Sequence, residues 1–356
     1  MPAPVFTYLG ATVPNDFGQI LPPDDHWLAS GPAEQILLPD LPVVDAHHHL
    51  WDHPGYRYLV PEFAADVNSG HNIVASVYVE SHAMYRPDGP EQLKAVGETE
   101  FAVGQAEQSA AGQYGPAEIA AGIIGYADLT LGAAVRDVLE AHVAAGNGRF
   151  KGMRLPSAWD PDDRIKGGQA GDRPGVLLEP VVREGLGVLA EMSLVLECYV
   201  LFTQLGEVAA VADALPDLTI VVNHCCSPLA YGPYTADRAE HYDTWLTATR
   251  DAANRPNVVC KLGGLLNRTD AFDYIHADAP PSSEQLAGHW RQWVEPCIEA
   301  FGAERCMFES NYPVEKMGAG YATLWNTFKR LAAGASPEQR SALFSGTAAR
   351  TYTLDI

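Results

Sequence analysis

Two histidines, His47 and His49, stand two positions apart just after the apolar pair Val43-Val44. Imidazoles at that spacing can hold one divalent cation or polarise one carbonyl oxygen. The bland alternative is a stacked surface or capping cluster. Side chains alternate along a strand, which predicts Asp45, His47 and His49 on one face and His48 on the other. Other apolar runs end in polar residues in the same way. Glu80 is followed by His82; Lys151 and Arg154 share a run, as do Glu197 and Tyr199; Asn223 and His224 end another; Lys261 lies in the next; Glu309, Ser310 and Asn311 close the series. Polar residues converging from many strand ends are what a barrel active site requires.

Each residue has a chemical and a structural reading. The Arg154 guanidinium can grip a substrate carboxylate in a two-point fork, or pair with one of the 45 acidic residues. Lys151 opposes it in parity and reads as structural. Glu80 is costly to bury bare, so it needs a cation, a metal or a histidine; His82 either joins it or caps the loop. Tyr199 and Glu197 share parity and either contact substrate or pack the core. Lys261 either stabilises developing charge or pairs with a carboxylate in the barrel lumen. His224 is a ligand or a satisfied loop residue. A thiol beside it at Cys225-Cys226 invites a nucleophile reading. Neighbours on a strand point opposite ways, however, so small buried residues are the better expectation.

The elements that must position these groups are short, often β-branched runs: 43–47, 73–80, 119–129, 150–155, 194–199, 218–224, 258–262 and 306–309. Such runs read as buried parallel strands. Helix-like stretches lie between them at 98–111, 133–145, 176–192, 204–215, 238–254, 284–301 and 321–333, with one more at 337–351. The first connection, through Pro61–Asn68, is the weakest helix. Eight strand–helix units predict a single-domain (β/α)8 TIM barrel over 42–356, preceded by an N-terminal arm at 1–41; a doubly wound sheet is the alternative. Irregular loops at 160–174, 226–236 and 267–283 follow predicted strands, on the face where barrel sites form.

The bulk numbers bound the partners. The 356-residue chain is 47% hydrophobic with net charge −22, which permits a large core and disfavours nucleic acid and anionic membrane. An anionic substrate would then need a local cationic pocket. The cysteines form no CxxC pair and suit reduced, buried thiols. The N-terminus lacks the pattern of a signal peptide, and no stretch has the length and apolarity of a membrane span, so the expected location is cytoplasmic. Exposed barrel helices permit a homo-oligomer.

The segment VVDAHHHLWD, with VYVESHAMY, FKGMRLPSAWD, NHCCSPLAYGPY, KLGGL and CMFESNYPVEK in order after it, resembles the amidohydrolase superfamily. More narrowly it resembles the family-2 members that include sugar and dicarboxylate lactonases. The resemblance implies a barrel hydrolase with one divalent ion, zinc foremost, held by His47, His49 and His224. It also implies an aspartate ending strand eight as metal ligand and general base; Asn311 stands there instead. An amide accepts no proton at neutral pH. The base role therefore passes to Glu309 or His224, and a metal-free route, with the histidines and Lys261 polarising the carbonyl, becomes the second mechanism. The expected substrate is a small acidic lactone anchored by Arg154. A decarboxylase of an aromatic or unsaturated acid and a lapsed ligand-binding barrel are the alternatives.

Overall fold

The computed structural model describes residues 20–165, 171, 173–230, 232–266 and 277–356. Parts of all three predicted loops, and residues 1–19 of the arm, lie outside them. Eight parallel strands run in sequential order: β1 (Val43–His48), β2 (Ile73–Val79), β3 (Glu118–Gly125), β4 (Phe150–Pro156), β5 (Val195–Tyr199), β6 (Ile220–Val222), β7 (Val258–Leu262) and β8 (Cys306–Phe308). The return from β8 to β1 is made just past the end of β8. There Asn311 N donates to His47 O at 2.8 Å and His49 N to Tyr312 O at 2.7 Å. The architecture is the expected (β/α)8 barrel.

One helix follows each strand: α1 (Val60–Val67), α2 (Val96–Ala110), α3 (Val135–Ala145), α4 (Pro180–Glu191), α5 (Leu205–Ala214), α6 (Arg238–Ala253), α7 (Ser283–Phe301) and α8 (Tyr321–Leu331). The weakest expected helix, α1, is well formed. Pro61 sits in its first turn, and Glu62 reaches back to the Leu59 amide at 2.9 Å. A first-turn proline and a glutamate three residues after the N-cap are helix-start signals, which a segment this short makes easy to overlook. Predicted strand three ran to Leu129; the observed strand stops at Gly125 and a 3-10 turn begins at Leu129.

The barrel interior is layered. Val44, Ala46, Ala75, Val77, Val79, Val195, Val221, Val259 and Met307 form an apolar floor, joined by Ala348 of the short C-terminal helix Thr347–Thr351 and by Tyr352 just after it. Above lie charged groups. Lys261 Nζ is 2.8 Å from both oxygens of Glu197, which also accepts from Asn223 at 2.9 Å and Tyr352 at 2.6 Å. Both members of the ion pair are fully buried. Lys261 thus follows its salt-bridge reading. Lys151 is tied away from this layer, donating to Thr353 O at 3.3 Å.

Breaking a buried pair leaves an uncompensated charge, whereas removing both charges need not destabilise. Lys261→Met should therefore lower unfolding free energy by about 3–5 kcal/mol, and adding Glu197→Gln should recover most of that loss in denaturant titrations. A double variant no more stable than the single one would refute the pairing argument.

Candidate active site

Strict alternation does not hold along β1. Asp45 pairs in register with Ser76 and His48 with Tyr78, so three steps on β1 match two on β2. This bulge inserts a residue. Asp45 consequently turns outward, where its carboxylate accepts from Tyr321 OH at 2.9 Å and Ser310 N at 2.8 Å. Burial raises its pKa to about 6 despite those bonds. The expected shared face of Asp45, His47 and His49 is corrected: His47 and His49 point inward, and Asp45 braces strand eight from behind. His48 takes the opposite face as expected, stacked on Phe63 at 4.1 Å and bonded to Ser76 at 3.0 Å.

The inward histidines meet partners from across the barrel. His47 Nδ1 lies 2.9 Å from Glu309 Oε2 and 3.3 Å from Lys261 Nζ. His224 donates from its backbone N to Glu309 Oε1 at 3.0 Å, and its Nδ1 is 2.7 Å from the same oxygen. His49 Nδ1 must carry a proton, because its partner at 2.8 Å is the Val79 carbonyl oxygen. Its Nε2 is then a lone pair in the neutral ring, and it faces His47 Nε2 at 3.1 Å. Desolvation, reinforced by Arg154, lowers the His49 pKa to about 3; desolvation and Lys261 hold His47 well below its usual value. Neutral imidazoles are ligand-competent.

His224 leaves β6 in an unusual turn. His224, Cys225, Cys226 and Ser227 all have positive φ, at 55°, 51°, 59° and 44°. Sequence alternation, which treated this stretch as strand, is corrected here: Cys225 and Cys226 lie in a left-handed turn. Gly264 of the loop after β7 makes room for it. Its φ is +67°, and a Cβ there would sit 2.1 Å from His224 Nδ1.

Glu309 is the carboxylate this arrangement centres on. Burial would raise its pKa, but His224 and Lys261 more than offset that and hold it below the usual value. Its Oε2 is buried and makes no well-aligned hydrogen bond, its polar neighbour being His47 Nδ1 at 2.9 Å. His47, His224 and Glu309 present ligand atoms within 4.8 Å of one another, a group able to hold a metal ion. Of the expected trio, His47 and His224 fall in this group together with Glu309, and His49 stands beside it with Nε2 3.1 Å from His47 Nε2. Asn311 is turned aside, with Nδ2 donating to Glu315 Oε1 at 3.2 Å. Glu315 also accepts from Leu266 N at 2.6 Å. It was absent from the sequence reading, since nothing local to it signals a role.

The remaining predicted residues line the same end of the barrel. Glu80 pairs with Arg154 Nε at 2.7 Å and lies 3.1 Å from His82 Nδ1. Arg154 Nη2 also donates to Glu80 O at 2.6 Å. Burial opposes ionisation of Glu80, yet Arg154 and His82 bring its pKa down to about 2. Tyr199 stands edge-on to His224, centroids 5.6 Å apart.

The Amidohydrolase family model matches residues 44–354. A Sinorhizobium fredii chain named "Uncharacterized protein y4mH" is 29% identical over 88% of this chain and 99% of its own. L-fucono-1,5-lactonase of Burkholderia ambifaria is 27% identical over 66% of this chain and 71% of its own. Among solved structures, an amidohydrolase from Burkholderia multivorans with bound zinc matches with TM-score 0.65 at 24% identity, over 88% of this chain and 99% of that one.

Gly264→Ala tests the turn geometry. Displacing His224 should weaken divalent-ion affinity by about 10–100-fold, the range seen when support of a ligand is lost. Zinc titration of the folded variant measures it; unchanged affinity would show that His224 Nδ1 does not need that gap.

Proposed function

The chain belongs to the amidohydrolase family, and we propose that it opens a small neutral sugar-acid lactone by water attack on the ring carbonyl. The coarser statement, a hydrolase, rests on the family and on relatives named as lactonases. The observation that carries the finer one is Glu309: a fully buried carboxylate held below its usual pKa, whose Oε2 has only the His47 imidazole beside it, at 2.9 Å, and no cation.

A charge count supports a cation there. Lys261 answers Glu197 and Arg154 answers Glu80. With His47 and His49 neutral, Glu309 is the carboxylate of this layer that neither cation answers directly. Burying such a charge is costly. We propose one divalent ion, zinc foremost, held by His47, His224 and Glu309 with His49 beside them; nitrogen and oxygen donors suit it. When bound, such an ion polarises the carbonyl and acidifies water.

The side chains supply the rest. Glu309 Oε2 takes the proton as the water oxygen bonds to the carbonyl carbon. As the ring C–O bond breaks, the ring oxygen takes a proton back from the Glu309 carboxyl. Burial, reinforced by Lys261 beside it, keeps the His47 ring neutral. Tyr199 and His82 face the substrate's hydroxyls from the barrel mouth.

The acidic-lactone expectation rested on Arg154 as a carboxylate anchor. Two nitrogens of that guanidinium are committed to Glu80, so a neutral polyol lactone fits better. The same pairing places the decarboxylase alternative second, since it too relies on that anchor.

A panel of neutral and carboxylated lactones, followed by proton release, should show turnover of neutral sugar lactones. It should be lost after chelator dialysis and restored by zinc or manganese. Full activity with no metal bound would sink the metal route; activity confined to carboxylated lactones would sink the substrate class.

Glu309→Gln should lower kcat by about 10²–10⁴-fold, the usual worth of a general base, while Asn311→Ala should cost less than about ten-fold by the same measure. The depressed Glu309 pKa keeps the base ionised as pH falls, so the acid limb of kcat/KM should lie below 4.5, the ordinary value for glutamate. The reverse ranking of the two variants would return the base role to the strand-eight amide position.

A further inference from the structure

Behind the barrel wall, away from the lumen, lies a second cluster of ligand side chains. Cys226 comes from the left-handed turn after β6, Cys260 from β7 and Cys297 from α7. All three are fully buried and none is in a disulfide. Their sulfurs lie within 4.8 Å of one another. Tetrahedral ligation of zinc at about 2.3 Å needs sulfurs about 3.8 Å apart, so the observed spacing exceeds it by at most about 1 Å. The buried Thr249 hydroxyl stands beside Cys226 without a well-formed hydrogen bond. Sequence reading treated these thiols as small core residues, and one buried cysteine would be just that. Three sulfurs converging from three elements are a soft donor set of the kind that selects zinc or copper(I) over harder ions.

A second observation points the same way. The turn that carries Cys226 runs through four consecutive non-glycine residues at positive φ. Each such residue is strained and persists only where its surroundings over-determine it. That turn also delivers His224 to the catalytic end of the barrel. A cross-link from Cys226 to β7 and α7 would fix it from behind.

We propose that Cys226, Cys260 and Cys297 form a structural zinc site, separate from the catalytic centre, that clamps the His224 turn to β7 and α7. Each ligating thiol releases its proton to solvent as the ion enters. The clamp stands independently of the lactonase reading, because it concerns sulfur ligation and not turnover.

Zinc X-ray absorption on wild-type protein, purified without chelator, tests it without any variant. A sulfur shell near 2.3 Å is expected; bound zinc showing only nitrogen and oxygen neighbours, or no bound zinc, overturns the proposal. The variants then locate the site. Cys297→Ser, checked for folding by circular dichroism, should lose the sulfur shell and about one zinc per chain. His47→Ala should keep that shell. A sulfur shell that survives Cys297→Ser, or vanishes with His47→Ala, overturns the assignment. Should Cys297→Ser fail to fold, protein grown on cobalt(II) supplies the same readout: a thiolate-to-cobalt charge-transfer band retained in His47→Ala supports the site, and its absence from wild type refutes it.

Discussion

A closed barrel has a dry interior, and that dryness governs every ionisable group inside this one. A charge taken out of water must meet an opposite charge or a set of hydrogen bonds. Lys261 lies on Glu197, with Asn223 and Tyr352 filling the remaining positions of the carboxylate. Arg154 lies on Glu80. Both cations of the upper layer are thereby committed to structure. What they leave over is Glu309, which meets His47 and His224 instead of a cation.

The same constraint explains why the departure at Asn311 need not disable the site. An aspartate at that position would face Glu315, which already accepts from Leu266 N. Two buried carboxylates in contact would repel, and an amide donor at Asn311 resolves the contact. The carboxylate that meets the histidines is Glu309, two residues back along the chain, which shares the inward parity of Met307. Strand eight thus keeps one carboxylate aimed at the histidines, from a different rung.

Much of this is legible in the amino-acid sequence. The eight apolar runs, their spacing and the polar residues at their ends carry the barrel, because buried strands and amphipathic helices are written in local periodicity. Glu309 was legible too, through parity alone. Asp45 was misread because a bulge is a property of pairing between strands, and β1 carries no local mark of it. Tyr352 and Glu315 were missed for a related reason. Their roles arise from contacts with residues 155 positions away, in the case of Tyr352 and Glu197, or from a loop hydrogen bond. Neither leaves a pattern in the neighbouring sequence. The thiol cluster belongs to the same class: cysteines 34 and 37 positions apart have no motif spacing, and only the fold brings them together.

This has a consequence for how the site is held. The polar layer is built from side chains on strands or in the one or two positions just past their ends, and His224 among them opens a turn of four left-handed residues. Precise ligand placement normally comes from a supporting shell that locks each ligand's orientation. His49 has that lock in the Val79 carbonyl, and His47 has it in Glu309 and Lys261. For His224, Gly264 removes the steric obstacle and Glu309 supplies the hydrogen bonds, but both act from the lumen side. A turn under backbone strain also has to be restrained from its outer side, and there Trp245 Nε1 donates to Cys225 O at 3.0 Å while the cysteines fill the remaining space. The outer wall behind His224 therefore holds the turn in place alongside the residues that face the lumen.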